Sequence, residues 1–265
     1  MREPKRGLSF NDKNHTYRLD GQYVPGVTTI LGVLDKPAIA RWAATTVAEY
    51  VADNPDAVAN LRTMGRDPMV QALKGLPWAR RDDAGKRGNI LHDYAEQLLA
   101  GQDVEVEDQH VDVMQSALDF MADWKIEPLL IEAAVASREH RWAGTLDLIA
   151  GYTRPDTGTS GVGIFDWKSG KALYPEFAWQ LNAYAHAEFH GLAGQEQPLP
   201  ECDAAFGVQI RDNAYTVAPL AFGRDIYDEF LAILAAYRVA KRGRGDYRQP
   251  GSGHVGIPIL TRQAS

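Results

Sequence analysis

An α/β protein built on one sheet, with a helical segment inserted ahead of most of its strands, is the fold class this chain predicts, and three observations carry it. Short β-rich segments follow one another after Pro128, helical periodicity fills much of 36–124, and a helical segment separates the third of those strands from the next. With 265 residues, 45% apolar and 24% charged, the chain is long enough for a single such domain with a buried core, and its composition argues against a disordered or fibrous class.

The elements follow in order. Residues 8–34 read as short strands and turns, LSFNDKNHTYRLDGQYVP alternating around Asn, Asp and Gly before the apolar stretch VTTILGVL. Pro37 suits a first helical position, and Ile39, Trp42, Ala43, Val47 and Tyr50 recur on one helical face. Further helical pieces are expected at 56–64, 68–75, 88–100 and 107–124, punctuated by Pro68, Pro77 and Gly101. LLIEAAVAS, GTLDLIAGY and VGIFDWKSG then read as three consecutive strands. PEFAWQLNAYAHAEFHGL reads as helix, AAFGVQIRD as a fourth strand, YTVAPLAF as a fifth and 225–241 as a closing helix, before an irregular tail from Gln249.

Composition narrows the chemistry. The single cysteine, Cys202, excludes an intramolecular disulfide and any iron–sulfur cluster or thiolate-rich zinc site on one chain, so a bound metal would be held by oxygen and imidazole. The net charge of −7 argues against a large non-specific nucleic-acid clamp. Two local basic patches stand against that balance: Lys74, Arg80, Arg81, Lys86 and Arg87, and Arg238, Lys241, Arg242, Arg244 and Arg248. Each reads equally well as solvated surface or as phosphate contact. No apolar run approaches the roughly 18–20 residues that span a bilayer. The start MREPKRGLSFNDKN has no signal-peptide core, so no membrane association and a cytoplasmic location are expected.

Asp166 and Lys168 in GIFDWKSG are two apart, which on a strand sends both side chains to one face and Phe165 and Trp167 to the other. Taken alone, the pair reads first as a structural ion pair. The preceding strand supplies Asp147 in the otherwise apolar GTLDLIA. If these strands form a hairpin, two carboxylates approach each other and repel unless a divalent cation such as magnesium or manganese lies between them. Gln180 and Tyr184, at i and i+4, form a polar stripe on the next helix, and His92 sits on a helix expected to begin near Gly88. Each of these, taken singly, reads as an ordinary helical residue. Their order carries more weight: G-x-x-x-H, G-x-x-D, D-x-K with a following glycine, and Q-x-x-x-Y.

In RGNILH, GTLDLI, FDWKSG and QLNAYA, across about 86–190, the chain resembles the RecB-like branch of the PD-(D/E)XK nucleases, which includes many phage-encoded exonucleases. The resemblance implies a restriction-endonuclease-like core, a central mixed sheet flanked by helices, with a helical N-terminal insertion. Residues 1–265 would form one nuclease domain: 1–85 N-terminal strands and helices, 86–245 the core, 246–265 the tail. It further implies Mg2+ or Mn2+ held by His92, Asp147, Asp166 and the backbone carbonyl of Trp167. Lys168 would be the catalytic lysine, with Gln180 and Tyr184 supporting the site. Glu132 matches an acid of the first core strand, and a plain salt-bridge role fits it equally. Lys86, Arg87, Arg80, Arg81 and Ser169 are candidate DNA contacts. Leu146 stands where the name-giving proline would be, a departure common in this branch.

The expected activity is hydrolysis of phosphodiesters from the ends of linear DNA, in recombination, repair or DNA processing. For a phage member the resemblance implies a single-strand annealing or recombination protein as partner. Two alternatives stand beside it: a flap or junction endonuclease on the same site, and a catalytically silent DNA-binding recombination module. A silent module has no physical need to keep repelling carboxylates together.

Overall fold

The computed structural model describes residues 7–168, 174–192 and 194–242, without the side chains of 38, 81–89, 91 and 175. Strands β1 (Leu8–Asn11), β2 (Thr16–Leu19) and β3 (Gln22–Val24) form an antiparallel meander. Asp20 and Gly21, with φ of 52° and 77°, close its second hairpin in the doubly left-handed geometry that matches strand twist. The apolar VTTIL that follows is a short helix, α1 (Val27–Leu31), with Val27, Ile30 and Leu31 buried.

Helices α2 (Pro37–Asp53), α3 (Pro55–Thr63) and α4 (Arg66–Leu99) come next. Here sequence and structure differ. The pieces expected at 68–75 and 88–100 belong to one 34-residue helix, α4, which continues through Pro77. Pro68 falls in its first turn, where backbone N–H groups have no intrahelical acceptor in any case, and Pro77 removes one internal hydrogen bond without ending the helix. The basic patch therefore lies within a helix rather than ahead of one, and the division expected at 85/86 cuts through α4.

Helix α5 (Val111–Asp123) leads into β4 (Glu127–Ser137), β5 (Trp142–Thr153) and β6 (Ser160–Lys168). Helix α6 (Pro175–Ala185) connects β6 to β8 (Ala204–Arg211), which lies parallel to it. Strand β9 (Ala214–Leu220) and helix α7 (Arg224–Lys241) complete the described chain. Helix α6 stops seven residues short of the expected Leu192, because Phe189–His190 pairs with Ala136 and Val135 as a two-residue strand, β7, and Phe189 is buried beside the meander. The sheet order is β7-β4-β5-β6-β8-β9, antiparallel except for β6 and β8. The result is an α/β protein with a mixed six-stranded sheet flanked by helices.

Two apolar layers sandwich that sheet. Trp142, Leu146, Ile149 and Ile164 pack with α1, α6 and α7, whereas Leu148, Phe165, Trp167 and Phe206 pack with α4 and α5. Phe120 of α5 is fully buried and meets Trp124, Phe165, Trp167 and Tyr215 at centroid distances of 5.5–6.0 Å. Phe120→Ala should therefore cost about 3–5 kcal/mol in urea unfolding; a loss below about 1 kcal/mol would mean this layer is loosely packed. Among the described residues, no helix is long and apolar enough to cross a membrane.

Candidate metal centre

The site forms where regular pairing gives way. The β5–β6 ladder runs from Thr153–Ser160 to Leu148–Phe165 and stops there, with Asp147 and Asp166 at the next facing positions. The N–H of Trp167 instead donates to Asp147 Oδ2 at 2.8 Å. On the other side, Glu132 lies opposite Asp147, between the pairs Ile131–Leu148 and Ala133–Leu146, and adopts a left-handed φ of 43°. Strand alternation changes phase at this point: Leu146 and Leu148, two apart, pack into opposite layers. Such an irregularity re-aims side chains, and three acids converge across β4, β5 and β6.

Helix α4 brings His92 to them. Its Nδ1 lies 3.5 Å from Glu132 Oε1 and 3.6 Å from Asp147 Oδ2. One ligand atom from each of His92, Glu132 and Asp147 fits within a mutual separation of 4.8 Å. Two ligands of one Mg2+ can stand at most about 4.2 Å apart, so a small closing movement would bring all three onto a shared ion. The donor set, one imidazole and two carboxylates, suits a hard or borderline divalent cation.

Asp166 lies beside this group rather than in it. Its Oδ2 meets the Lys168 ammonium and has no hydrogen bond apart from that ionic contact, while Oδ1 accepts from Gln180 Nε2 at 3.2 Å. Gln180 Nε2 also reaches the Tyr184 hydroxyl at 3.4 Å. The Lys168 ammonium lies 4.7 Å from the centre of the Phe177 ring, which supports it from α6.

These charges are held at a cost. Burial raises the Asp147 carboxyl above the ordinary range, with repulsion from Glu132 adding to the effect and His92, Lys168 and the Trp167 N–H opposing it. Asp166 is pushed up to about 7, first by burial and then by Asp147, against the pull of Lys168. For His92, burial favours the neutral ring, but the hydrogen bond to Glu132 and the charges of Asp147, Glu132 and Asp166 prevail and raise it. Burial holds the Tyr184 hydroxyl well above its usual value, so it stays neutral. A divalent cation would relieve this repulsion in place of protons.

Asp147, Asp166, Lys168, Gln180, Tyr184, His92 and Glu132 thus lie together. The Trp167 N–H donates to Asp147 Oδ2, so the Trp167 backbone, whose carbonyl the resemblance implies as a ligand, lies beside the acids. Arg80 lies exposed on α4, while the side chains of Arg81, Lys86 and Arg87, and all of Ser169, fall outside the described residues. Glu132 belongs to the metal-fitting group as the side chains stand, with Asp166 next to it on Lys168 and Gln180. Three further residues had no assigned role in the sequence. Phe177 lies under Lys168, and Tyr17, from the meander, bonds Thr145 at 2.8 Å.

Gly144, the glycine of G-x-x-D, has a physical reason to be glycine. A Cβ there would sit 2.4 Å from Tyr184 Cε1. Gly144→Ala should displace Tyr184 and cost about 1–3 kcal/mol in chemical denaturation; an unchanged midpoint would contradict this close approach.

No protein-family model and no curated protein matches the chain. Its functional reading therefore rests on the residues and their geometry.

Proposed function

We propose that the chain is a metal-dependent deoxyribonuclease of the RecB-like PD-(D/E)XK type, acting on the ends of linear DNA with Mg2+ or Mn2+. One observation carries this: buried acids from adjoining strands, a helical imidazole and a strand lysine gather at one opening of the sheet. A structural ion pair needs only Asp166 and Lys168. It gives no account of Asp147 and Glu132 kept beside them at an electrostatic cost.

A bound divalent cation supplies charge neutralisation at a phosphoryl oxygen and makes water easier to deprotonate. His92, Glu132 and Asp147 would hold it. The Lys168 ammonium adds a fixed positive charge for the negative charge that develops on the phosphoryl oxygens during in-line attack. Gln180 holds Asp166 by its Oδ1, and Phe177 keeps Lys168 beside the acids.

Digestion of end-labelled linear duplexes and single strands, beside covalently closed circles, tests the proposal. Metal-dependent loss of linear DNA with circles intact is the expected outcome. Cutting of circles would indicate an endonuclease on the same site, and no metal-dependent cutting of any substrate would defeat the nuclease reading.

A further inference from the structure

A second surface, separate from the acids, carries the chemistry of a strand-binding groove. Tyr23 and Pro25, at the end of the meander, face Tyr237, Arg238, Lys241 and Arg242 at the C-terminal end of α7 across an open groove of about 460 Å³. In a chain of net charge −7, the described residues lining this groove include three cations and no acid. Among the described residues none of the three makes an ion pair. Arg238 donates to the His140 carbonyl at 2.5 Å, and the Lys241 ammonium lies 5.6 Å from the centre of the Tyr237 ring. Tyr23 leaves a large aromatic surface in solvent at 55% exposure.

The dipole of α7 already favours Arg238 and Lys241 in its last turn, and with Arg242 they set three positive charges, without an acid partner among the described residues, along one groove where an anion can be held. An exposed ring beside them adds a stacking platform, which phosphate alone does not need but an unstacked base does. The groove is also tied to the candidate metal centre. The carbonyl of Pro25 accepts from Ala143 at 3.1 Å, and Ala143 precedes Asp147 on β5 by a strand length of about 13 Å.

We infer that this groove binds a single-stranded segment of nucleic acid. Lys241 and Arg242 contact phosphates and Tyr23 stacks on a base. The strand's identity as substrate rests on the nuclease reading; binding in the groove does not.

The test measures affinity of the whole protein for a fluorescein-labelled oligothymidylate by anisotropy, in EDTA so that no cleavage intervenes. Lys241→Ser with Arg242→Ser should make the slope of log affinity against log salt shallower by about 1.4. Tyr23→Ser should weaken binding roughly tenfold, while Tyr23→Trp retains it. Matched thermal midpoints ensure that folded proteins are compared. Unchanged affinity and salt slope in the double variant would overturn the inference, as would a polyglutamate peptide competing as well as the oligonucleotide. Groove-dependent binding by a protein without metal-dependent cleavage would leave the groove standing and defeat the nuclease reading instead.

Discussion

Lys168→Gln should lower metal-dependent DNA hydrolysis by about 10²–10³-fold, the cost of losing one preorganised charge-stabilising donor. Glutamine keeps an N–H that can reach Asp166, so the change removes the positive charge while sparing the contact that holds the acid. If Lys168 acts on charge that develops only in the transition state, kcat falls and KM hardly moves. The thermal midpoint should stay within a few degrees. A KM effect alone would make Lys168 a DNA-binding residue, and unchanged kinetics would return the Asp166–Lys168 pair to a purely structural role.

Asp147→Asn should remove activity and yet stabilise the metal-free protein. The buried Asp147 carboxylate is disfavoured where it stands, and it pushes Asp166 up as well. Asparagine keeps an acceptor for the Trp167 N–H and removes that charge. A folded state that raises a carboxyl pKa binds a proton which the unfolded chain has released. Metal-free stability therefore grows as pH falls through about 7, the value to which Asp166 is pushed, and is lost as pH rises through it. At pH 8 the variant should melt above the wild type, by about 2–4 °C for each kcal/mol relieved. The gap should narrow towards pH 5. A variant that melts lower at pH 8 would show that the carboxylate is paid back within the fold.

The sheet strands were readable because each joins β-rich composition to flanking turn residues. The pairing of Asp166 with Lys168, and of Gln180 with Tyr184, followed from strand and helix periods. The continuity of α4 was not readable, because Pro77 is a local breaker that the surrounding helical turns override. Strand β7 is hidden in the sequence for a related reason: HAEFHGL continues a helical composition, and only the pairing of Phe189 with Ala136 decides otherwise. The place of Glu132 depends on its left-handed backbone and the phase change opposite Asp147, which no sequence period encodes. Tyr17 and Thr145 meet across 128 residues, so neither position signals the other.

His92, Glu132 and Asp147 must share one divalent ion for this site to act as proposed. Isothermal titration of Mn2+ into the metal-free protein tests this without any nucleic acid. Saturable binding is expected for the wild type, weakened by His92→Ala and Glu132→Gln and lost in Asp147→Asn. Wild-type protein that takes up no Mn2+, or an Asp147→Asn variant that binds it as tightly, would contradict the account.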